Sequence, residues 1–341
     1  MIEPHALVEL LRLLSGGERL DLQQLSGASG ALQKTLQEAL QGTSIDAYSR
    51  RMLADHGVRF DDSSATSTVQ IPGGLDVLDA QQIRTELQRA GTQPDLEVRW
   101  SVDSTNSILL ARAATQSIDG TVLLAEHQSA GRGRRGRSWL SPVASNLYIS
   151  IGAHFPRLAD TQAMSLATGV AIADALSELG YQGIGIKWPN DLQIGGRKLS
   201  GILIESGGLI ESGGMGPRGV AMVIGIGINV RVPAYVGEQI DQPWIDLTQA
   251  APFAPDRNRI CAAVVAHVFD MLESLRRGQL QHWLERFKTY DIACDQPVTI
   301  RFAEREVHGI ARGIDGSGEL KVDVDGVPRV FSAGEVSLRV Q

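Results

Sequence analysis

TVLLAEHQSAGRGRRGRSWLSP, residues Thr121–Pro142, is the stretch on which the reading of the fold turns. A strand-like run, Thr121–His127, leads into Gly131-Arg132-Gly133-Arg134-Arg135-Gly136-Arg137. Its glycines spell G-x-G-x-x-G after a strand, the outline of a dinucleotide-binding turn. Gly131–Ser138 is also one residue away from a P-loop, with Arg137 where lysine belongs. Both motifs need a helix to start at the last glycine, because its free N–H groups hold the phosphates. Here Ser138-Trp139-Leu140-Ser141-Pro142 follows, proline stops a helix, and no acid occurs before Asp160. Both motifs are therefore set aside. Glycines allow close backbone approach, and arginine forks match carboxylate and phosphate oxygens. The stretch reads as a mobile lid that closes over an anion. The plainer alternative is a solvated basic loop or a nucleic-acid patch.

Composition narrows the field. With 341 residues, two or three domains are expected. A net charge of −7 argues against general polyanion binding, so the arginines form a local cationic patch in an anionic chain. Cys261 and Cys294 lie far apart without metal-ligand spacing, which suggests a reducing compartment and no disulfide framework. No long apolar span or signal-peptide pattern is read, so a cytoplasmic protein without a membrane partner is expected.

Taken in order, residues 5–14 predict an amphipathic helix stopped by Ser15-Gly16-Gly17. Residues 19–25, 29–41 and 45–56 predict three more helices, and 58–71 a polar hairpin. This is the outline of a winged helix-turn-helix, with weak chemistry for it. The third helix carries only Lys34 and Glu38, and the first 70 residues hold more acids than bases. A small helical domain with weak or no DNA binding fits as well.

Pro72-Gly73-Gly74 is a plausible linker. A helix over 79–90 precedes a strand, 98–102, that runs into Asp103-Ser104-Thr105-Asn106. This polar cluster can cap the following helix or bind a polar ligand head. Residues 146–155 predict a strand, 161–179 a helix, and 184–188 a short strand turned by Pro189, which gathers Lys187, Asn190 and Asp191 at one strand end. Lys198–Glu205 and Val220–Val230 read as buried strands joined by a flexible loop containing a repeated ESGG. Gly225, Gly227 and Asn229 suggest close approach of a backbone or ligand, and Trp244 looks exposed. Two core helices follow, over 257–277 and 280–290, the second through Trp283, Leu284 and Phe287. From Pro297 the pattern has period two, with breaks at Gly316-Ser317-Gly318 and Asp325-Gly326, which predicts a five-stranded antiparallel barrel.

Together, DSTN (103–106), EHQSAGRGRRGRSW (126–139), KWPNDL (187–192), RKLSGILIE (197–205), GIGINV (225–230) and RGID (312–315) mark a resemblance. Over residues 74–341 the chain resembles the bacterial biotin–protein ligases, specifically those whose N-terminal helix-turn-helix doubles as the biotin operon repressor. Residues 1–73 match only in outline: the basic third helix and Gly-x-Gly-Tyr wing of such relatives are absent. The resemblance implies an α+β chain with a winged-helix-like domain (1–73), a central mixed-sheet ligase domain (74–293) and a small β-barrel (294–341). It implies two steps. The carboxylate of biotin attacks the α-phosphate of ATP, and a lysine of the biotin carboxyl carrier domain of acetyl-CoA carboxylase then takes the biotinyl group. By motif match, Ser104, Thr105, Asn106, Gln128, Arg132, Gly133, Arg134 and Lys198 line the biotin and adenylate site. Arg135, Asn190 and Asn229 join them on the nucleotide side, and Trp244 orders over the adenine. Lys187 stabilises charge on the α-phosphate, and Asp191 holds magnesium or orients the incoming lysine. A homodimer and operator DNA are the further partners implied. The rival readings are a lipoate or octanoate ligase, a non-catalytic repressor that senses biotinyl-adenylate, and an RNA-binding protein.

Overall fold

The structure is a computed structural model that describes residues 4–21, 47–61, 68–210, 219–302, 305–333 and 337–340. It is an α+β protein built on a seven-stranded mixed sheet, with a five-stranded antiparallel sheet at its C-terminal end.

Near the N-terminus lie helices α1 (Pro4–Leu13) and α2 (Ala47–Asp55) and strands β1 (Leu20–Asp21), β2 (Arg59–Asp61) and β3 (Thr68–Gln70), the strands ordered β1-β3-β2. The first helix and the hairpin form as the sequence suggests. The described part of the expected 19–25 helix is instead strand β1. Leu20 pairs with Val69 there, and this ladder satisfies a backbone that two helical residues alone would leave open. The expected third helix, 29–41, lies outside the described residues.

The main sheet uses β4 (Asp95–Val102), β5 (Thr121–Gln128), β6 (Leu147–Phe155), β7 (Ile184–Lys187), β8 (Asp191–Ile194), β9 (Arg197–Ile210) and β10 (Gly219–Ile228). Their order is β4-β5-β6-β10-β9-β8-β7, and only β4 and β5 run parallel. The arginine stretch connects β5 to an antiparallel β6, not to a helix, so the dinucleotide topology is excluded. Met222, Ile224, Ile226 and Ile228 of β10 face the main core with α3 (Ala80–Arg89), α5 (Met164–Glu178), α8 (Arg257–Arg276) and α9 (Leu280–Tyr290). The alternate residues Ala221 and Val223 pack under α4 (Thr105–Ala113), beneath Leu109. Gly225 and Gly227 continue that second face beyond the helix. β9 is longer than expected and takes in the first ESGG. A Cβ on Gly207 would come within 2.7 Å of Ala113 Cβ, so the glycine lets α4 lie close to the strand.

Two short helices, α6 (Ala234–Gly237) and α7 (Leu247–Ala250), lie between β10 and α8. Ile260, Val264, Val268, Met271 and Leu275 of α8 are buried, as are Trp283, Leu284 and Phe287 of α9. The C-terminal strands β11 (Pro297–Phe302), β12 (Arg305–Ile314), β13 (Leu320–Val324), β14 (Val327–Phe331) and β15 (Ser337–Val340) appear where the alternation places them. Asp325 and Gly326 both take positive φ, 53° and 80°, as a tight hairpin requires. Among the described residues these strands form a small antiparallel sheet in the order β14-β13-β12-β11-β15, where a small antiparallel barrel is expected.

Candidate active site

The site lies where α4 stops covering the β6-β10-β9 face. Ser150, Gly225 and Leu203 stand in register across the three strands, and Tyr148, Gly227 and Gly201 form the next same-face row. Each row seats one side chain. A Cβ on Gly225 would lie 2.4 Å from Asn106 Oδ1, and one on Gly227 would lie 2.4 Å from Trp139 Cε2. The glycines are therefore open floor for an amide and an indole.

Asn106 belongs to the DSTN cluster at the start of α4. Ser104 caps the helix there, its Oγ accepting from Ser107 N at 3.4 Å. Capping and a place in the pocket are compatible, since Ser104, Thr105 and Asn106 are buried yet line the cavity. Gln128, at the end of β5, accepts from Thr105 N at 2.9 Å and donates to Ser141 Oγ at 3.0 Å.

The arginine stretch is a small hairpin. Gly133 N donates to Arg137 O at 2.7 Å and Trp139 N to Gly131 O at 2.9 Å, around a turn in which Arg135 takes φ 59°. Arg132 pairs with Glu205 and reaches Ser107 Oγ at 3.3 Å. Arg134 donates to Asn190 Oδ1 at 2.9 Å and to Ala333 O, which ties the hairpin to the C-terminal sheet. Burial pulls the Arg134 guanidinium below its ordinary range, opposed by the charge of Asp191; an arginine so placed still stays charged. Arg135 and Arg137 are exposed at the tip.

KWPND is the turn of the β7–β8 hairpin, so Lys187 and Asp191 pair across the two strands. The Trp188–Pro189 bond is cis, and Trp188 Nε1 donates to Gly318 O at 3.0 Å. Lys198 Nζ lies 2.8 Å from Asp191 Oδ1 and 5.6 Å from the Trp139 ring centroid. Trp139 and Lys198 wall all three neighbouring cavities. The first also holds Ser104, Thr105, Asn106, Gln128, Arg132, Gly133, Arg134 and Asn190. The second adds Asn229 and Trp244, and the third Arg135, Lys187 and Asp191. Every candidate site residue thus lines one of three cavities that share Trp139 and Lys198 as wall residues.

One of them differs from expectation. Trp244 is half-buried, packed on Gly237, with Nε1 donating to Gly237 O at 3.1 Å. The Asn229 side chain is engaged by backbone, donating to Lys198 O at 3.3 Å and Ile245 O at 3.2 Å, which fastens the Trp244 segment to β9.

The whole chain has close relatives of known kind. It is 34% identical to the bifunctional ligase/repressor BirA of Escherichia coli over 97% of both chains, and 38% identical to that of Salmonella typhimurium over 79% of this chain and 81% of the relative. The chain belongs to the biotin protein ligase family. Residues 99–229 match the Biotin/lipoate A/B protein ligase family and 293–339 the Biotin protein ligase C terminal domain. The biotin protein ligase from Aquifex aeolicus in complex with biotin and ATP superposes with a TM-score of 0.61 at 25% identity, covering 72% of this chain and 99% of that one.

This family member also holds site residues that the motifs alone do not single out. Ser150 and Glu205 bond to the DSTN cluster, and Trp139 walls each of the three cavities named above. Tyr148 OH donates to Pro142 O at 2.8 Å, and burial holds this phenol well above its ordinary range, so it remains a neutral donor. The glycines of GIGINV hinted at the floor; what lies on it depends on strand register.

Proposed function

We propose that the chain makes biotinyl-5′-adenylate from biotin and ATP and passes the biotinyl group to a lysine of a biotin carboxyl carrier domain. One observation carries this reading. The DSTN helix start, the arginine hairpin and the Lys198–Asp191 pair line three cavities that share Trp139 and Lys198, which supports an order of polar head, carboxylate and nucleotide.

The chemistry asks for that arrangement. In the first step a carboxylate oxygen bonds to the α-phosphorus and pyrophosphate leaves, so two anions must meet out of bulk water. Ser104, Thr105, Asn106 and Gln128 hold the head of biotin. Arg132, Gly133, Arg134 and Lys198 hold its carboxylate and the acyl phosphate. Lys187, Arg135 and Asn190 face the phosphates, and Trp244, braced through Asn229, walls the adenine side. In the second step the acceptor amine bonds to the acyl carbon, AMP leaves, and the amine loses a proton. Asp191 holds Lys198 in place and orients the amine.

Magnesium enters with ATP as part of that substrate. Among the described residues no group of three or more His, Cys, Asp or Glu could hold a metal, and the Asp191 carboxylate is engaged by Lys198. These residues do not fit a resident metal centre, and no step is assigned to one.

The test is incubation with biotin, ATP, magnesium and a carrier-domain fragment, followed by mass measurement. Labelling of the fragment's lysine is expected. Labelling by lipoate or octanoate instead would move the chain to the sister activity, and adenylate without transfer would make it a sensor. Residues 1–73 we read as a winged-helix-like domain that gives this enzyme an operator-binding role. If a biotin-operon fragment is not shifted at low salt with saturating biotinyl-adenylate, that role is removed. We extend the reading to a homodimer through an edge of the main sheet, which sedimentation of the adenylate-bound protein checks.

A further inference from the structure

Asn106 lies on Gly225 with its amide held at both ends. Nδ2 donates to Glu205 Oε2 at 2.9 Å and toward Leu203 O at 3.3 Å. Both partners only accept, so the amide cannot turn end for end without setting oxygen against oxygen. Oδ1 therefore faces Ser150 Oγ at 2.5 Å, where the hydroxyl must supply the proton. Serine carries one proton, so with it committed to Asn106 the 2.7 Å contact between the Ser150 and Thr105 hydroxyls must use the Thr105 proton. The Thr105 proton is thereby drawn from Gln128 Oε1, which stands farther off at 3.2 Å. The direction set at Glu205 thus runs through Asn106 and Ser150 to the cavity, where lone pairs of Thr105 Oγ1 and Gln128 Oε1 are left for a ligand. Ser150 is fully buried, and neither it nor Glu205 lines the cavity.

We propose that Glu205 and Ser150 are positioning residues that fix the pocket head as a hydrogen-bond-accepting face. That face selects an acid whose ring carries N–H donors over an alkyl or dithiolane acid. The selection follows because an apolar head leaves the buried acceptors without partners, a larger penalty than a misfit of size. The inference rests on the ligase reading above.

Ser150→Ala, Glu205→Gln, the double variant and Ser150→Cys are compared with the native chain in pyrophosphate exchange, with biotin and with octanoate. Ser150→Ala is expected to raise the KM for biotin about tenfold. Its kcat at saturating biotin and its KM for ATP stay within about twofold, since an interaction made equally in ground and transition states acts on KM alone. The preference for biotin over octanoate falls by a similar factor. Ser150→Cys, which keeps a weak donor, lies between Ala and the native residue. Because both effects pass through one amide, the double variant loses about as much as the worse single. Native KM and native preference in Ser150→Ala overturn the proposal, as do single losses that multiply in the double. If Arg132→Ala reproduces the whole effect of Glu205→Gln, Glu205 acts through the arginine and its part falls. A native chain that activates no biotin removes the ligase reading and the proposal together; an active native chain with indifferent variants removes the proposal only.

Discussion

Arg257 and Glu126 form an ion pair at 2.7 Å with side chains only 1% and 3% exposed. The guanidinium also donates to Asn146 O at 2.8 Å and to Asp76 O, while Glu126 accepts from Leu78 N. One pair thus joins the segment before α3, β5, the start of β6 and α8. Removing one charge strands the other in a dry interior, so Glu126→Gln is expected to cost about 3–5 kcal/mol, read from the urea midpoint. A shift as small as that of an exposed pair such as Arg89–Glu86 would show that water reaches the site. Asp291 offers a pH test. Burial raises its carboxyl above the ordinary range, although Oδ1 accepts from Ala293 N at 2.9 Å. The folded chain therefore holds this proton more tightly than the unfolded one, and stability falls as pH climbs from the unfolded value through the raised folded one. Asp291→Asn is expected to raise Tm at neutral pH, with the gain fading toward about pH 4, where the unfolded carboxyl also protonates. A gain that does not vary with pH would place the effect elsewhere.

The bare glycine floor leads to a test at the scale of elements. A side chain on Gly227 must displace the Trp139 indole that walls all three cavities. Gly227→Ala is expected to keep the sheet, to alter tryptophan fluorescence and to lower biotin transfer by about tenfold or more, since small misplacements of positioning groups cost rate steeply. Gly16→Ala, with open space around its Cβ, is the control and should leave transfer unchanged. Unchanged fluorescence and transfer in Gly227→Ala would mean that the indole is not seated there. The same floor shows what was legible in the sequence. The glycine-arginine loop, the DSTN cap and the turn at Pro189 are local, and neighbours along the chain announce them. The partnerships of Trp139 with Gly201 and Gly227 depend on register across β6, β10 and β9, which no local pattern contains. Glu205 with Arg132 and Glu126 with Arg257 join residues 73 and 131 positions apart, so their meeting follows from topology alone. Residues 20–21 depart from the expected helix for a related reason: a ladder with β3 pairs Leu20 with Val69.

At the scale of the whole molecule, the hydrophobic cores join residues from both sides of positions 73 and 293. Val298, Ile300, Ile314, Leu320 and Val322 of the C-terminal strands belong to one core with α5, α8 and α9. The N-terminal cluster of Val8, Leu11, Met52 and Leu53 includes Val143, Val232 and Tyr235 from the central region. Polar contacts follow the same seams: Trp188 Nε1 to Gly318 O at 3.0 Å, Trp100 Nε1 to Val8 O at 3.1 Å, and Arg51 to Glu238 at 2.6 Å. A sheet that shares its core with its neighbour cannot expose that face without opening both, so the main and C-terminal sheets are expected to unfold in one transition. Trp188→Phe tests this at the seam. It removes one buried N–H donor and some packing, worth about 1–3 kcal/mol, and leaves Gly318 O without that partner. Hydrogen exchange should report the same loss of protection in β13 amides as in β10 amides, because opening either element opens the shared core. Loss confined to β13 would mean that the C-terminal sheet opens alone, and that its hold on Arg134 through Ala333 is released without unfolding the site.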